Sequence, residues 1–160
     1  AVLTSAKVPL PLLELGSREV ERYLRRADDL EAAGNTAQAT LVRQWVDDFQ
    51  LLQQTGSLPE TIPLFLNMAD FGQARLVAAS AEVFSSYAIT LRAHCPAPYT
   101  AVVSLTNGFT GHLPDEEAFL LGGYEVEIAP LLYGVLPLSR NAAEIGENSL
   151  LALARYEVSA

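Results

Sequence analysis

Val102-Val103-Ser104-Leu105-Thr106-Asn107-Gly108-Phe109-Thr110-Gly111-His112-Leu113-Pro114, running on to Gly122-Gly123-Tyr124-Glu125-Val126-Glu127, is the stretch on which the fold turns. A β-branched run that ends in Asn-Gly and passes into a Gly- and Pro-punctuated loop predicts a strand, Tyr99 to Leu105, delivering a loop to a working edge of a sheet. Just upstream, Pro96 and Pro98 separate that strand from a helix expected from about Glu82 to His94, apolar at Val83, Phe84, Tyr87 and Leu91. Before the helix the period is two. Ile62, Leu64, Leu66 and Met68 alternate, Asp70-Phe71-Gly72 turns the chain, and Arg75 to Ala79 returns as a buried run.

The N-terminal third reads differently. Val8-Pro9-Leu10-Pro11-Leu12 cannot form a helix interior, so the prolines confine it to an edge strand or an extended connector. Ser17 is then expected to cap a helix from about Arg18 to Ala33, stopped by Gly34. A second helix follows from about Thr36 to Gln54, with Leu41, Trp45, Phe49 and Leu52 in one stripe and Gly56 at its end. Trp45 in that stripe is expected to be core. Downstream of the opening stretch, a short helix is expected near Asp115 to Leu121, its acidic first turn suited to the helix dipole. Ile128 to Ser139 reads as a loop, and Asn141 with Glu144 as a capping-box start for a last helix to about Tyr156. The fold class that follows is α/β or α+β: a mixed sheet with flanking helices and an antiparallel helical hairpin inserted near the N-terminus. The hairpin occupies residues 17–55 and the sheet-and-helix part 58–160, within one domain or the C-terminal half of a larger one.

Composition narrows the function classes. The net charge is −9 and Lys7 is the only lysine, against the clustered Lys and Arg that phosphate backbones require. Arg22, Arg25 and Arg26 are interleaved with Glu19, Glu21, Asp28 and Asp29, a pattern expected of a solvated helix face with Glu21/Arg25 at i,i+4. Cys95 is alone, which excludes an internal disulfide and a Cys-based zinc site; a buried or inert thiol is expected. No apolar run approaches the ~20 residues that cross a bilayer. The chain is 50% hydrophobic and 18% charged. That surplus of apolar side chains suits either an Ala/Leu-rich domain or a piece of something larger whose apolar faces meet a partner.

Chemistry could sit at Glu82 and His112. Glu82 lies where Leu76-Val77-Ala78-Ala79 passes through Ser80-Ala81 toward the helix, and carboxylates at helix starts commonly serve the dipole alone. His112 lies beyond the end of the next strand, and a lone loop histidine is commonly a surface residue. Both could nevertheless lie at one sheet edge, where the ends of neighbouring strands assemble sites.

The stretch quoted at the outset also resembles bacterial proteins of the neutral/alkaline non-lysosomal ceramidase family. There a strand leads into Asn-Gly-x-x-Gly-Tyr-Ile-Pro, followed by a short helix and Gly-Gly-Tyr-Glu. His112 stands where the family places a tyrosine. The family's strand ending in Leu-Pro-Gly-Glu is similar in position to the strand before Glu82, with Ser80-Ala81 replacing Pro-Gly. The resemblance extends from Val8 to the last helix, and its specific part is Val102 to Glu127. It implies a catalytic zinc held by that glutamate, that tyrosine and two histidines, and a zinc-held water that attacks the amide of an N-acyl sphingoid lipid. On this chain the implied metal ligands are Glu82 and His112, with Asn107, Gly108, Gly111 and Tyr124 shaping the loop around them. The family's two histidines lie far upstream, in motifs this chain does not contain; His94, at a helix end, belongs to no such motif.

The expectation is therefore the C-terminal part of a zinc-dependent, ceramidase-like amide hydrolase, inactive alone. Its partner would be the N-terminal part of the same protein or a complementary subunit, with a lipid-like amide as substrate. The alternative is a structural or interaction module that keeps the scaffold without the chemistry. An unrelated small-molecule binding domain follows only if the Val102 to Glu127 match is chance. Compartment stays open; the resemblance allows a secreted or periplasmic setting.

Overall fold

The structure, a computed structural model, describes residues 1–156; residues 157–160, assigned above to the sheet-and-helix part, lie outside the described residues. The chain forms β1 (Val2–Pro11), α1 (Ser17–Ala32), α2 (Thr36–Gln54), β2 (Thr61–Asp70), β3 (Ala74–Ala79), β4 (Glu82–Val83), α3 (Ser85–His94), β5 (Tyr99–Val103) and β6 (His112–Leu113). Then follow α4 (Glu116–Leu121), one π-helical turn (Tyr124–Ile128), α5 (Ala129–Leu132) and α6 (Asn141–Ala154). It is an α/β fold with a mixed sheet flanked by helices.

The main sheet has the order β1-β2-β3-β5. β1 and β2 pair antiparallel over ten positions, from Val2↔Asp70 to Pro11↔Thr61, so the α1–α2 hairpin is inserted between two neighbouring strands. The proline-bearing segment is the edge strand itself: Pro9 faces Pro63 at the end of β2 that β3 does not reach. β2 turns into β3 at Phe71-Gly72-Gln73, where Phe71 N donates to Ala74 O and Gly72, at φ +82°, donates to Asp70 Oδ1. β3 then pairs parallel with β5, the crossover being α3.

Strand alternation fixes what is buried. Leu64, Leu66 and Met68 of β2, Val77 and Ala79 of β3, and Leu10 of β1 point to one face, which α3 and α6 cover with Tyr87, Leu91, Leu150 and Leu153. A second core lies within the helical hairpin. Tyr23, Val46, Trp45 and Phe49 pack there against Leu131 and Leu136, and Trp45 Nε1 donates to Val135 O at 3.0 Å. Trp45 is core, as the stripe predicts.

Among the described residues Arg75 is the buried charged side chain. It pairs with Asp70 at 2.7 Å and donates to the carbonyl of Ala154 at the end of α6, tying sheet to helix. The Gly72 N–H and then Arg75 hold the Asp70 carboxyl below its ordinary range.

Several expectations are corrected. Glu82 does not begin a helix: Glu82 N donates to Gly111 O and Val83 N to Ser104 Oγ, so both residues are extended and α3 starts at Ser85. β5 stops at Val103 rather than Leu105, because Leu105 turns to φ +59° and its N–H bonds back to Ala81 O. Ser17 is the first residue of α1 and not its cap, and neither Gly16 nor Arg140 caps its helix through a side chain. At α6 the Ser139 carbonyl takes the Ala142 N–H in place of a capping box. The segment from Ile128, read as a loop, contains α5, which opens Ala129-Pro130 because proline suits a helix start. Arg22 and Arg26 are not merely solvated: they reach Glu127 at 3.5 and 2.8 Å, docking α1 on the π-helical turn, whereas Glu21/Arg25 is the expected exposed pair at 3.6 Å.

Candidate functional site

Where β3 leaves the sheet, its next residues replace ladder pairing with side-chain hydroxyls. Ser80 is fully buried; its N–H donates to Phe65 O and its Oγ accepts from Phe65 N, both at 2.9 Å. Thr110, buried in the loop after β5, donates through N to Ser80 O at 2.6 Å and through Oγ1 to Pro63 O at 2.9 Å. The two hydroxyls are 2.8 Å apart. Because the Thr110 proton is committed to Pro63 O, the Ser80 hydroxyl is the donor between them. Every proton in this buried chain has an acceptor, as interior polar groups require.

Two residues beyond that knot stand the two candidates. β4 and β6 pair parallel with Glu82 opposite His112, the same thirty-residue offset as Ser80 to Thr110. His112 Nε2 lies 3.3 Å from Glu82 Oε2; the imidazole side chain is 11% exposed and the carboxylate 43%. The ring is thus held within the fold while the carboxylate looks outward. The other ring nitrogen, His112 Nδ1, is buried and has no hydrogen-bond partner among the described residues.

Three aromatic rings frame the pair. Tyr133 lies 6.1 Å from the His112 ring, inclined 20° to it, and Tyr124 meets that ring edge-on at 5.8 Å. Phe109 packs edge-on against Tyr133 at 4.8 Å. Burial raises the Tyr133 phenol above its ordinary value; the nearby Tyr124 and Glu82, and a hydrogen bond with Tyr124, act in the same direction. Like any tyrosine, Tyr133 holds its proton at neutral pH. Beyond Tyr124 a mainly apolar cleft of about 200 Å³ runs between the α1–α2 hairpin and α5, lined by Leu30, Leu41, Val42, Ile128 and Leu132, with Arg26 and Gln38 also on its wall.

The structure brings together Glu82, His112 and Tyr124. Gly108, at φ +143°, lies against Ser80: a Cβ there would stand 3.5 Å from the Ser80 Cβ. Gly111, at φ +100°, supplies the carbonyl that receives Glu82 N–H. Asn107, at φ +57°, turns the exposed tip of the loop, a conformation Asn tolerates better than most residues. His94 is elsewhere: it is exposed at the end of α3, with Nδ1 2.9 Å from Thr90 O. Cys95 is half-buried, its thiol directed at Ala154 O at 3.4 Å. Sequence reading missed Ser80 and Thr110 as organisers and Tyr133 as a wall.

The donor set can be tested against zinc. Two ligands of a tetrahedral zinc, each about 2.0–2.2 Å from the ion, sit about 3.3–3.5 Å apart. The Nε2–Oε2 separation of 3.3 Å matches that spacing. The set is short, however: no group of three or more His, Cys, Asp or Glu side chains that could hold a metal occurs among the described residues. Comparison with protein-family models, with characterised proteins and with solved structures returns no match for this chain.

Proposed function

We propose that this chain is the C-terminal part of a zinc-dependent hydrolase acting on a lipid-like amide, similar to the neutral ceramidases, and that a second polypeptide part completes its site. The observation that carries this is the Glu82–His112 pair, set in parallel register at a strand edge with donor atoms 3.3 Å apart. Glu82 and His112 would hold the metal, and zinc at such a site supplies Lewis acidity toward an amide carbonyl. At least one further protein ligand would come from the other part, since catalytic zinc takes three protein ligands or more; the family resemblance implies two histidines there. Tyr133, kept protonated, would donate a hydrogen bond to a substrate oxygen, and Tyr124 would divide the polar site from the apolar cleft. That cleft, next to Tyr124, supports a substrate with an aliphatic portion.

A second reading has its own support. Metal-bound histidines ordinarily donate their other ring N–H to a partner, and His112 Nδ1 has none among the described residues. That favours a scaffold that keeps the Glu–His pair as a structural contact without metal.

Native mass spectrometry of the protein taken from its source, with zinc measured on the same sample, separates the two. The hydrolase predicts an assembly larger than 17.3 kDa carrying about one zinc, with zinc lost in Glu82→Ala and His112→Ala while the assembly persists. Zinc content indifferent to both substitutions removes the metal role. Robust amide hydrolysis by the isolated 160 residues removes the divided site.

A further inference from the structure

The main sheet has two faces, and α3 and α6 cover only one. On the other, side chains alternate outward from all four strands: Leu3, Phe65, Leu76, Tyr99 and Val103 are 39–79% exposed. Ala69, Ala78 and Ala101 lie between them, so rows such as Leu3–Ala69–Leu76–Ala101 run large-small-large-small across the sheet. Strands stand about 4.8 Å apart and rise about 3.3 Å per residue, so the face covers about 400–500 Å². Doubled across a contact, that is about 800–1,000 Å², at the lower bound of a specific interface. An apolar patch of roughly 300–600 Å² is the largest a typical monomer carries and is often functional.

Charge says which partner. The outward residues of β1, β2, β3 and β5 include no Asp or Glu, although the chain carries 19 acidic residues. They include the one lysine, Lys7, whose ammonium stands 5.7 Å from the centre of the Phe65 ring. Beside it Ser5 Oγ donates to Asn67 Oδ1 at 2.9 Å, leaving the Asn67 amide N–H groups to be used. Two copies of this face would set Lys7 against no counter-charge and bring two chains of net charge −9 together.

We infer that the open face of the β1-β2-β3-β5 sheet docks a different polypeptide, one presenting a flat apolar surface with a carboxylate opposite Lys7. Only the identity of that partner, as the part that completes the Glu82–His112 site, rests on the function proposed above; the interface does not.

Lys7 makes the test direct. A zero-length carbodiimide cross-linker joins carboxylates to amines, and Lys7 is the one lysine of this sequence. The natively purified assembly is cross-linked and the Lys7 peptide sequenced by mass spectrometry. The expected product joins Lys7 to an Asp or Glu of another polypeptide. In parallel, Leu76→Glu with Val103→Glu should weaken association at least about 100-fold. The milder Leu76→Ser with Val103→Thr, checked for an unchanged melting temperature, guards against misfolding and should weaken it about tenfold. Cross-links to this chain's own carboxylates at twice its mass would make the occupant a second copy and overturn the inference. So would association indifferent to both variant pairs. An assembly that forms through this face but binds no zinc would leave the interface standing and defeat the hydrolase.

Discussion

Replacing Ser80 by alanine should cost far more than the loss of one hydroxyl on a loop suggests. The side chain has no exposed surface, so water cannot substitute for it. Its removal strands the Phe65 N–H, which now donates to Ser80 Oγ at 2.9 Å, inside a β-ladder. Thr110 Oγ1 loses its donor but keeps its own bond to Pro63 O. One stranded buried donor costs about 1–3 kcal/mol, so with the weakened Thr110 a loss of about 2–3 kcal/mol is expected. For a domain of this size each kcal/mol moves the midpoint about 2–4 °C, giving a fall of roughly 4–12 °C. Thr110→Val alone strands no N–H and should cost about 1 kcal/mol. The double variant should cost less than the sum, with a coupling of about 0.5–1.5 kcal/mol, because both act on one chain of hydrogen bonds. Differential scanning calorimetry of the four proteins measures the cycle. A Ser80→Ala midpoint within 1 °C of the parent, by a ~1 °C criterion, would refute the role given to these hydroxyls, and so would strict additivity.

Gly146→Ala in α6 should destabilise by about 1–2 kcal/mol despite the roughly 1 kcal/mol that alanine gains in a helix. The new Cβ would stand 3.0 and 3.1 Å from the two methyl carbons of Leu113, which is fully buried; urea unfolding reads the sign. Arg26→Ala, which removes the 2.8 Å pair with the partly buried Glu127, should cost about 0.5–1 kcal/mol, falling at 1 M salt, and protease cleavage near α1 should quicken. Burial raises the Tyr87 phenol well above its ordinary value of 10.0, with Asp115 and Glu147 adding to it. Its stabilising effect is therefore complete below pH ~10, where the unfolded phenol still holds its proton, and is lost as pH rises above that. Tyr87→Phe should flatten the alkaline fall in melting temperature while lowering it at neutral pH, because the bond to Pro114 O is lost.

The periodicities carried most of the fold. Two-residue alternation in Ile62 to Met68 and the 3.6-residue spacing of Trp45 and Phe49 in α2 are set by which side chains must leave water, so they can be read without the structure, although Leu52 of that stripe is 37% exposed. Element ends were read less well, and for a common reason: they depend on backbone groups finding distant partners. Glu82-Val83 has the residues to begin a helix, yet Gly111 O and Ser104 Oγ claim its N–H groups and hold it extended. Leu105 has the β-branched neighbours of a strand, yet Ala81 O turns it to φ +59°. The docking of α1 through Arg26 and Glu127 joins residues about a hundred positions apart, which local charge patterning cannot see.

The site was legible as two residues and illegible as an arrangement. Glu82 and His112 stand out by chemistry, but what brings them to 3.3 Å is a matched pair of hydroxyl residues placed two positions before each. Ser80 and Thr110 are uncharged, common and titrate nowhere near neutrality, so no chemical signature marks them. Buried Ser80 and Thr110 tie the two segments together just before β4 and β6, which pair in parallel as a separate two-stranded sheet with the carboxylate opposite the imidazole. A candidate site resting on such a knot should lose its geometry before it loses its side chains. The Ser80→Ala protein, with Glu82 and His112 intact, should therefore show a shifted His112 ring signal in two-dimensional NMR while its circular dichroism remains that of the parent. An unshifted ring would mean that the β4–β6 pairing holds the two side chains without help from the hydroxyls beneath.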